Sequence, residues 1–303
     1  MPDPAPRVQL RLTSVLLLLA IATVMGGNHV AARLAFDHGT SVSLAVTVRS
    51  IGTAIVLLTL LRVSGVPLAL PFSTLRRAIM VGLLVSFQSL CLYSAVARIP
   101  VALALLVFNT FPIVLGLLSW LTGGERPRSR ALVAMPMALT GLAIALDAFG
   151  WSGSGRLAQA QGSMLVGVAF AAGASLSFGA ILLLNSRWLP TLDGRLRTAI
   201  LMMVVSVVSL IVASSQDGLG LPSDATGWIG LTLLTILYGT GITGVFTLLP
   251  RFGAVNNAAI LNFEPVAALL LGWMVLDQRI GSLQLLGGAI VIAAIIMLTT
   301  GRR

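Results

Sequence analysis

The sequence predicts an all-α integral membrane protein of ten transmembrane helices, arranged as two inverted five-helix repeats. Three observations predict it: a composition that water cannot solvate, ten apolar runs of spanning length, and an internal register of 153 residues. Of the 303 residues, 57% are hydrophobic and only 9% are charged, with a mean hydropathy of +1.01. Soluble domains carry about a quarter charged residues, so a water-facing surface cannot be built from this chain. A hydrocarbon solvent removes the conflict, provided helices satisfy the backbone internally.

A bilayer-crossing helix needs roughly 20 mostly apolar residues. Such runs lie at about 13–36, 42–61, 78–97, 101–121, 131–149, 163–185, 198–214, 226–249, 255–276 and 283–300. Turn and charge signals separate them, among them Asp37-His38-Gly39, Ile99-Pro100, Glu125-Arg126-Pro127-Arg128, Arg251-Phe252-Gly253 and Asp277-Gln278-Arg279. The first run follows Arg7 and Arg11 as a signal peptide would, but its length and the spans behind it read as a first helix. Continuous rather than alternating apolarity argues against a β-barrel. The single cysteine, Cys91, allows no intrachain disulfide.

The register is visible by sliding the second half back by 153 residues. Arg98 then meets Arg251, Asn109 meets Asn262, Pro112 meets Pro265, Leu117 meets Leu270, Trp120 meets Trp273 and Arg126 meets Arg279. Gly26 falls on Gly179 and Ser129 on Ser282, so the register reaches the outer helices. The expected halves are residues 1–150, with helices one to five, and 151–303, with helices six to ten. Five is odd, so the second half enters from the opposite side and must be inverted. Charge agrees: with both termini cytoplasmic, 14 arginines face inward and 4 outward, Arg49 lying within a span. All 19 basic residues are arginine and the net charge is +10. In a soluble chain this would point to nucleic acid; in short breaks between apolar runs it sets membrane orientation, and no nucleic-acid partner is expected.

Several stretches resemble EamA-type members of the drug/metabolite transporter superfamily. They are Gly26-Gly27-Asn28-His29-Val30-Ala31-Ala32-Arg33 with Arg49 after it, Pro112 with Gly123-Gly124-Glu125-Arg126, Asn262 to Trp273 followed by Asp277-Gln278-Arg279, and Leu285-Leu286-Gly287-Gly288-Ala289. Two positions depart from the family pattern: Met25 stands in place of a tryptophan, and Asp277-Gln278 in place of a glycine–glutamate pair. The resemblance implies a ten-helix transporter whose helices 1, 3, 4, 6, 8 and 9 surround a central cavity, with helices 5 and 10 peripheral. It also implies export of amino acids or similar metabolites across the bacterial inner membrane.

Candidate site residues follow from their cost. Glu264 is the carboxylate deep inside a span, and an ionised group there costs about 2.5 kcal/mol or more unless paired, hydrated or protonated. It is a candidate for proton coupling or for contact with a cationic group; the alternative is a protonated packing glutamate beside Pro265. Asn109 and Asn262 each precede a proline by three, where an amide can donate to a freed carbonyl, to a ligand, or across helices 4 and 9. Asn257 lies seven residues before Glu264, on the same helical face. Asn28 and His29 follow the Gly26-Gly27 pair; histidine titrates near neutral pH, or packs as a satisfied side chain. Gln88, Tyr93 and Tyr238 are the larger polar groups of the third and eighth spans. Arg49 is read as structural, snorkelling outward or pairing with a helix C-terminus. Trp120, Trp151, Trp188, Trp228 and Trp273 read as an aromatic belt.

No metal or other cofactor is expected. His38, in a loop, is the only second histidine, and there is no lysine for a phosphate-binding loop. The expected partners are a small-molecule substrate, membrane lipid and, through Glu264, protons. The expected function is secondary transport by alternating access of a neutral or zwitterionic solute. A non-transporting membrane partner subunit or a lipid-handling membrane protein is the alternative.

Overall fold

The computed structural model of the chain describes residues 12–123, 129–145, 162–215, 220–248, 263–278 and 281–299. Among the described residues there are eleven helices and no strand. They are α1 (Leu12–Asp37), α2 (Val42–Val63), α3 (Phe72–Val96), α4 (Val101–Phe108), α5 (Phe111–Leu121), α6 (Ser129–Ala145), α7 (Gly162–Trp188), α8 (Gly194–Ser214), α9 (Ala225–Leu248), α10 (Glu264–Leu276) and α11 (Ser282–Thr299).

Local chemistry sets the ends. Ser41 caps α2 by accepting from the Leu44 N–H at 3.2 Å, and Asp193 caps α8 by accepting from Arg195 and Leu196. Gly39, at φ 87°, turns the chain after α1 in a conformation that side chains resist. The third helix begins at Phe72 rather than near 78, because exposed Arg76 and Arg77 are carried within its first turns. The run expected at 101–121 is broken into α4 and α5 at Asn109-Thr110. Pro112 has no N–H to offer the preceding turn, and it sits where a new helix tolerates it.

Among the described residues seven stretches are long and apolar enough to cross a membrane, the α4–α5 stretch Val101–Leu121 among them. Pro136–Ala145, Glu264–Leu276 and Ser282–Ala294, in the fifth, ninth and tenth expected spans, are shorter apolar helices. Large apolar side chains face outward, including Ile55, Phe72, Ile211, Trp228, Trp273 and Met274. A soluble protein would place charge there.

The helix pairs are reciprocal. α1 packs on α9 and α10, while α7 packs on α3 and on α4 and α5. α3 packs on α8 and α2 on α9; α2 also packs on α8, and α6 chiefly on α11. Moving every helix by 153 residues turns this set of pairs into itself. Glycines allow the closest approaches. A Cβ on Gly26 would lie 2.8 Å from the Glu264 carbonyl oxygen and 2.9 Å from the Ala268 nitrogen, so α1 and α10 meet backbone to backbone. At one end of the bundle the loops before α2 and α9 are clasped. Ser223 donates its N–H and its hydroxyl to the His38 carbonyl, both at 2.9 Å, and His38 Nδ1 lies 2.6 Å from Asp224 Oδ2. The Gly227 N–H, and then His38, hold the Asp224 carboxyl below the usual carboxylate range.

Candidate functional site

Some of the polar side chains inside the bundle gather at and beside the α1–α10 contact. His29 lies one turn beyond Gly26 on the same face of α1. Its Nε2 sits 3.2 Å from Glu264 Oε1. Glu264 is the first residue of α10, where the positive end of the helix dipole favours a carboxylate by about 0.3–1 kcal/mol, more when partly buried. The glutamate side chain is 23% exposed and the histidine 5%, so the pair stands at the edge of the packed interior. One proton serves the contact from either side, as an imidazole N–H donated to carboxylate or a carboxyl O–H donated to imidazole. Taking up a second proton removes one unit of negative charge from the pair.

Asn28 connects this pair to α3. The Tyr93 hydroxyl donates to Asn28 Oδ1 at 2.7 Å, and the Asn28 amide donates to the Met25 carbonyl. The Tyr93 ring meets the His29 ring at 5.4 Å and Phe36 at 6.2 Å, edge-on. It also meets a residue from α2. The Arg49 guanidinium carbon lies 4.5 Å from the Tyr93 ring centre and 3.9 Å from that of Tyr238 on α9. Nη2 of Arg49 donates to Ser89 Oγ at 3.0 Å, and that hydroxyl is 3.5 Å from Gln88 Oε1. Tyr238 in turn points its hydroxyl at Met202 Sδ of α8, 3.9 Å away. A desolvated cation against an aromatic face gains about 2 kcal/mol per contact, which offsets part of the cost of burying Arg49.

Six of the residues singled out in the sequence are thus brought together: Asn28, His29, Tyr93 and Glu264 by direct contact, Tyr238 and Gln88 through Arg49 and Ser89. Asn109 stands apart. Its amide donates to the Leu105 carbonyl at 2.7 Å, the acceptor already used by its own backbone N–H, and not to the carbonyl that Pro112 leaves free. The reason is the break between α4 and α5, which makes Asn109 the C-cap of α4. Asn257 and Asn262 lie outside the described residues.

Arg49 is the residue that sequence reasoning misplaced. It is 1% exposed, and its guanidinium ends among Ser89, Tyr93 and Tyr238 inside the bundle. A signal for this was present. Ser43, Thr47, Ser50 and Thr53 recur at helical spacing along α2, and all four are buried. Such a stripe marks the protein-facing side, and Arg49 adjoins it. Among the described residues no three His, Cys, Asp or Glu side chains converge as a metal site would require.

A model of the EamA-like transporter family matches residues 12–146 and again residues 165–300. An uncharacterized transporter, YwfM of Bacillus subtilis (strain 168), is 26% identical over 220 residues, covering 70% of this chain and 69% of its own. One solved crystal structure superposes with a TM-score of 0.64 over 95% of this chain and 98% of that one. Its identity is 18%, so the likeness is one of fold.

Proposed function

Because the chain belongs to the EamA-like transporter family, within the drug/metabolite transporter superfamily, we propose that this multi-pass membrane protein is a secondary transporter exporting small neutral or zwitterionic metabolites, amino acids foremost. The observation that carries the reading is the connected polar cluster of Asn28, His29, Tyr93 and Glu264 inside the bundle, with an ionisable pair at its centre. Ionisable groups within a membrane cost free energy, so a connected set of them marks a solute or proton path. The reciprocal helix pairs support two inverted five-helix repeats, which can rock about a central site to open it to either side. The arginine distribution supports an inner-membrane protein with both termini in the cytoplasm. Energy enters through the His29–Glu264 pair, whose net charge changes as it binds and releases a proton.

The test is uptake into proteoliposomes of labelled amino acids, sugars and nucleosides, with and without a pH gradient, for wild type and Glu264→Gln. Gradient-stimulated flux that the substitution removes is the expected result. Flux indifferent to both would leave a facilitative carrier and return Glu264 to packing. Absence of flux across the whole panel would overturn the transporter reading.

A further inference from the structure

We infer that the edge of the Arg49 guanidinium is a binding site for a single carboxylate group, carried by the solute that the protein transports. Arg49 is enclosed by the bundle at 1% exposure, yet among the described residues it has no carboxylate partner. The ion pairs among the described residues are His29–Glu264, Arg33–Asp37, His38–Asp224 and Arg195–Asp193, and none includes it. Nε and Nη1, which carry three of the five N–H bonds of a guanidinium, have no hydrogen-bond partner among the described residues. Buried donors are almost always paired, so these mark a place where an acceptor arrives.

The surroundings say which acceptor. Tyr93 and Tyr238 stack against the guanidinium, and the Tyr93 hydroxyl is tied to Asn28 while Ser89 holds Nη2. With aromatic rings against the group and Ser89 on Nη2, the N–H bonds left without a partner lie in the plane of the guanidinium, at its edge. Approach along that edge is how carboxylates pair with arginine. One arginine without a second cation suits a monoanion; a phosphate dianion calls for more charge than the described residues here supply. A hydrated inorganic anion such as chloride lacks the flat shape that this edge matches. The repeat-related residue is Met202, so the charge is not a demand of the fold. The inference rests on the transporter reading only in naming the ligand as cargo; binding itself is separable.

The experiment is thermal unfolding of the purified full chain in detergent, at constant ionic strength and pH. The probes are acetate, acetamide, sodium chloride, and a panel of amino acids with their amides, such as leucine and leucinamide. Wild type is expected to gain thermal stability with at least one carboxylate and with none of the matching amides. Arg49→Met keeps the volume and removes the charge; it should require at least tenfold more carboxylate for the same shift. Arg49→Lys, which retains a cation but not the fork, should fall between, and it keeps the test alive if Arg49→Met does not fold. An unchanged response in Arg49→Met, an equal response to chloride, or no response to any carboxylate would overturn the site. Solute flux without an Arg49-dependent shift removes the site and leaves the transporter; the shift without flux does the reverse.

Discussion

The α1–α10 contact and the α7–α5 contact are built on the same backbone and filled with opposite chemistry. A Cβ on Gly26 would lie 2.9 Å from the Ala268 nitrogen, and one on Gly179 would lie 3.1 Å from the Leu115 nitrogen. Both members of the two pairs differ by 153 residues. α10 begins at Glu264 and α5 at Phe111, again 153 apart. Yet His29 and Glu264 correspond to Leu182 and Phe111, Asn28 to Ile181, and Arg49 to Met202. Around Phe111 the packing is aromatic, with Phe178 edge-on at 4.7 Å and Phe108 at 5.7 Å. Helix proximity is therefore what the fold needs at these places. The polar set in one of them is an addition that the other half does without.

Substitutions at the two glycines test this equivalence most severely. Gly26→Val and Gly179→Val should each destabilise by about 1–3 kcal/mol through overpacking, against backbone atoms of α10 at Gly26 and chiefly against the Val114 side chain at Gly179, read as a lower Tm in detergent. Only Gly26→Val should also abolish flux, because it parts His29 from Glu264. Loss of flux in both alike would break the comparison. Next come double-mutant cycles. His29→Leu with Glu264→Gln should show a coupling of about 0.5–3 kcal/mol that varies with pH. Phe111→Leu with Phe178→Leu should show about 0.5–1.5 kcal/mol at every pH, as an edge-to-face pair does. Tyr93→Phe removes one hydrogen bond to Asn28 and should cost about 0.5–1.5 kcal/mol in thermal unfolding. It leaves a ring against Arg49, so any stabilisation by carboxylates should persist.

The smallest effect is expected at the loop clasp. Asp224 has its carboxyl held below the ordinary value of about 3.9, so its contribution to stability is present above that pH. That contribution is lost as pH falls through the lowered value. Asp224→Asn should therefore lie slightly below wild type in Tm near neutrality and converge with it in strong acid. A gap that widened on acidification would contradict the sign. The repeat-related residues, Thr191 and Pro71, offer no such pair, which makes the clasp a second asymmetry between the halves.

Helical architecture was legible because solvent leaves few choices: apolar runs of spanning length in a chain this poor in charge must become helices. The close contacts were legible in part, since Gly26 and Gly179 share the register that Asn109, Pro112 and Trp120 establish. Asn28, His29 and Glu264 were each legible as candidates from cost alone, as polar residues in apolar runs; that they meet was not, because it depends on which helices pack together. What stayed hidden depends on helix rotation. Periodicity is weak in helices that are apolar on every side, so nothing obvious told which way α2 turns Arg49. Its serine and threonine stripe held that information in side chains too small to register as polar in a hydropathy reading. The end of α4 at Phe108, and with it the local role of Asn109, follows from how Pro112 is accommodated, which spacing does not dictate.

Tyr238 touches both Arg49, through its ring, and Met202, through its hydroxyl, although these two residues occupy equivalent places in the halves. The symmetry of the helix pairs therefore does not extend to charge: of these two equivalent positions only the one on α2 carries a guanidinium, and the two halves cannot exchange roles without moving it.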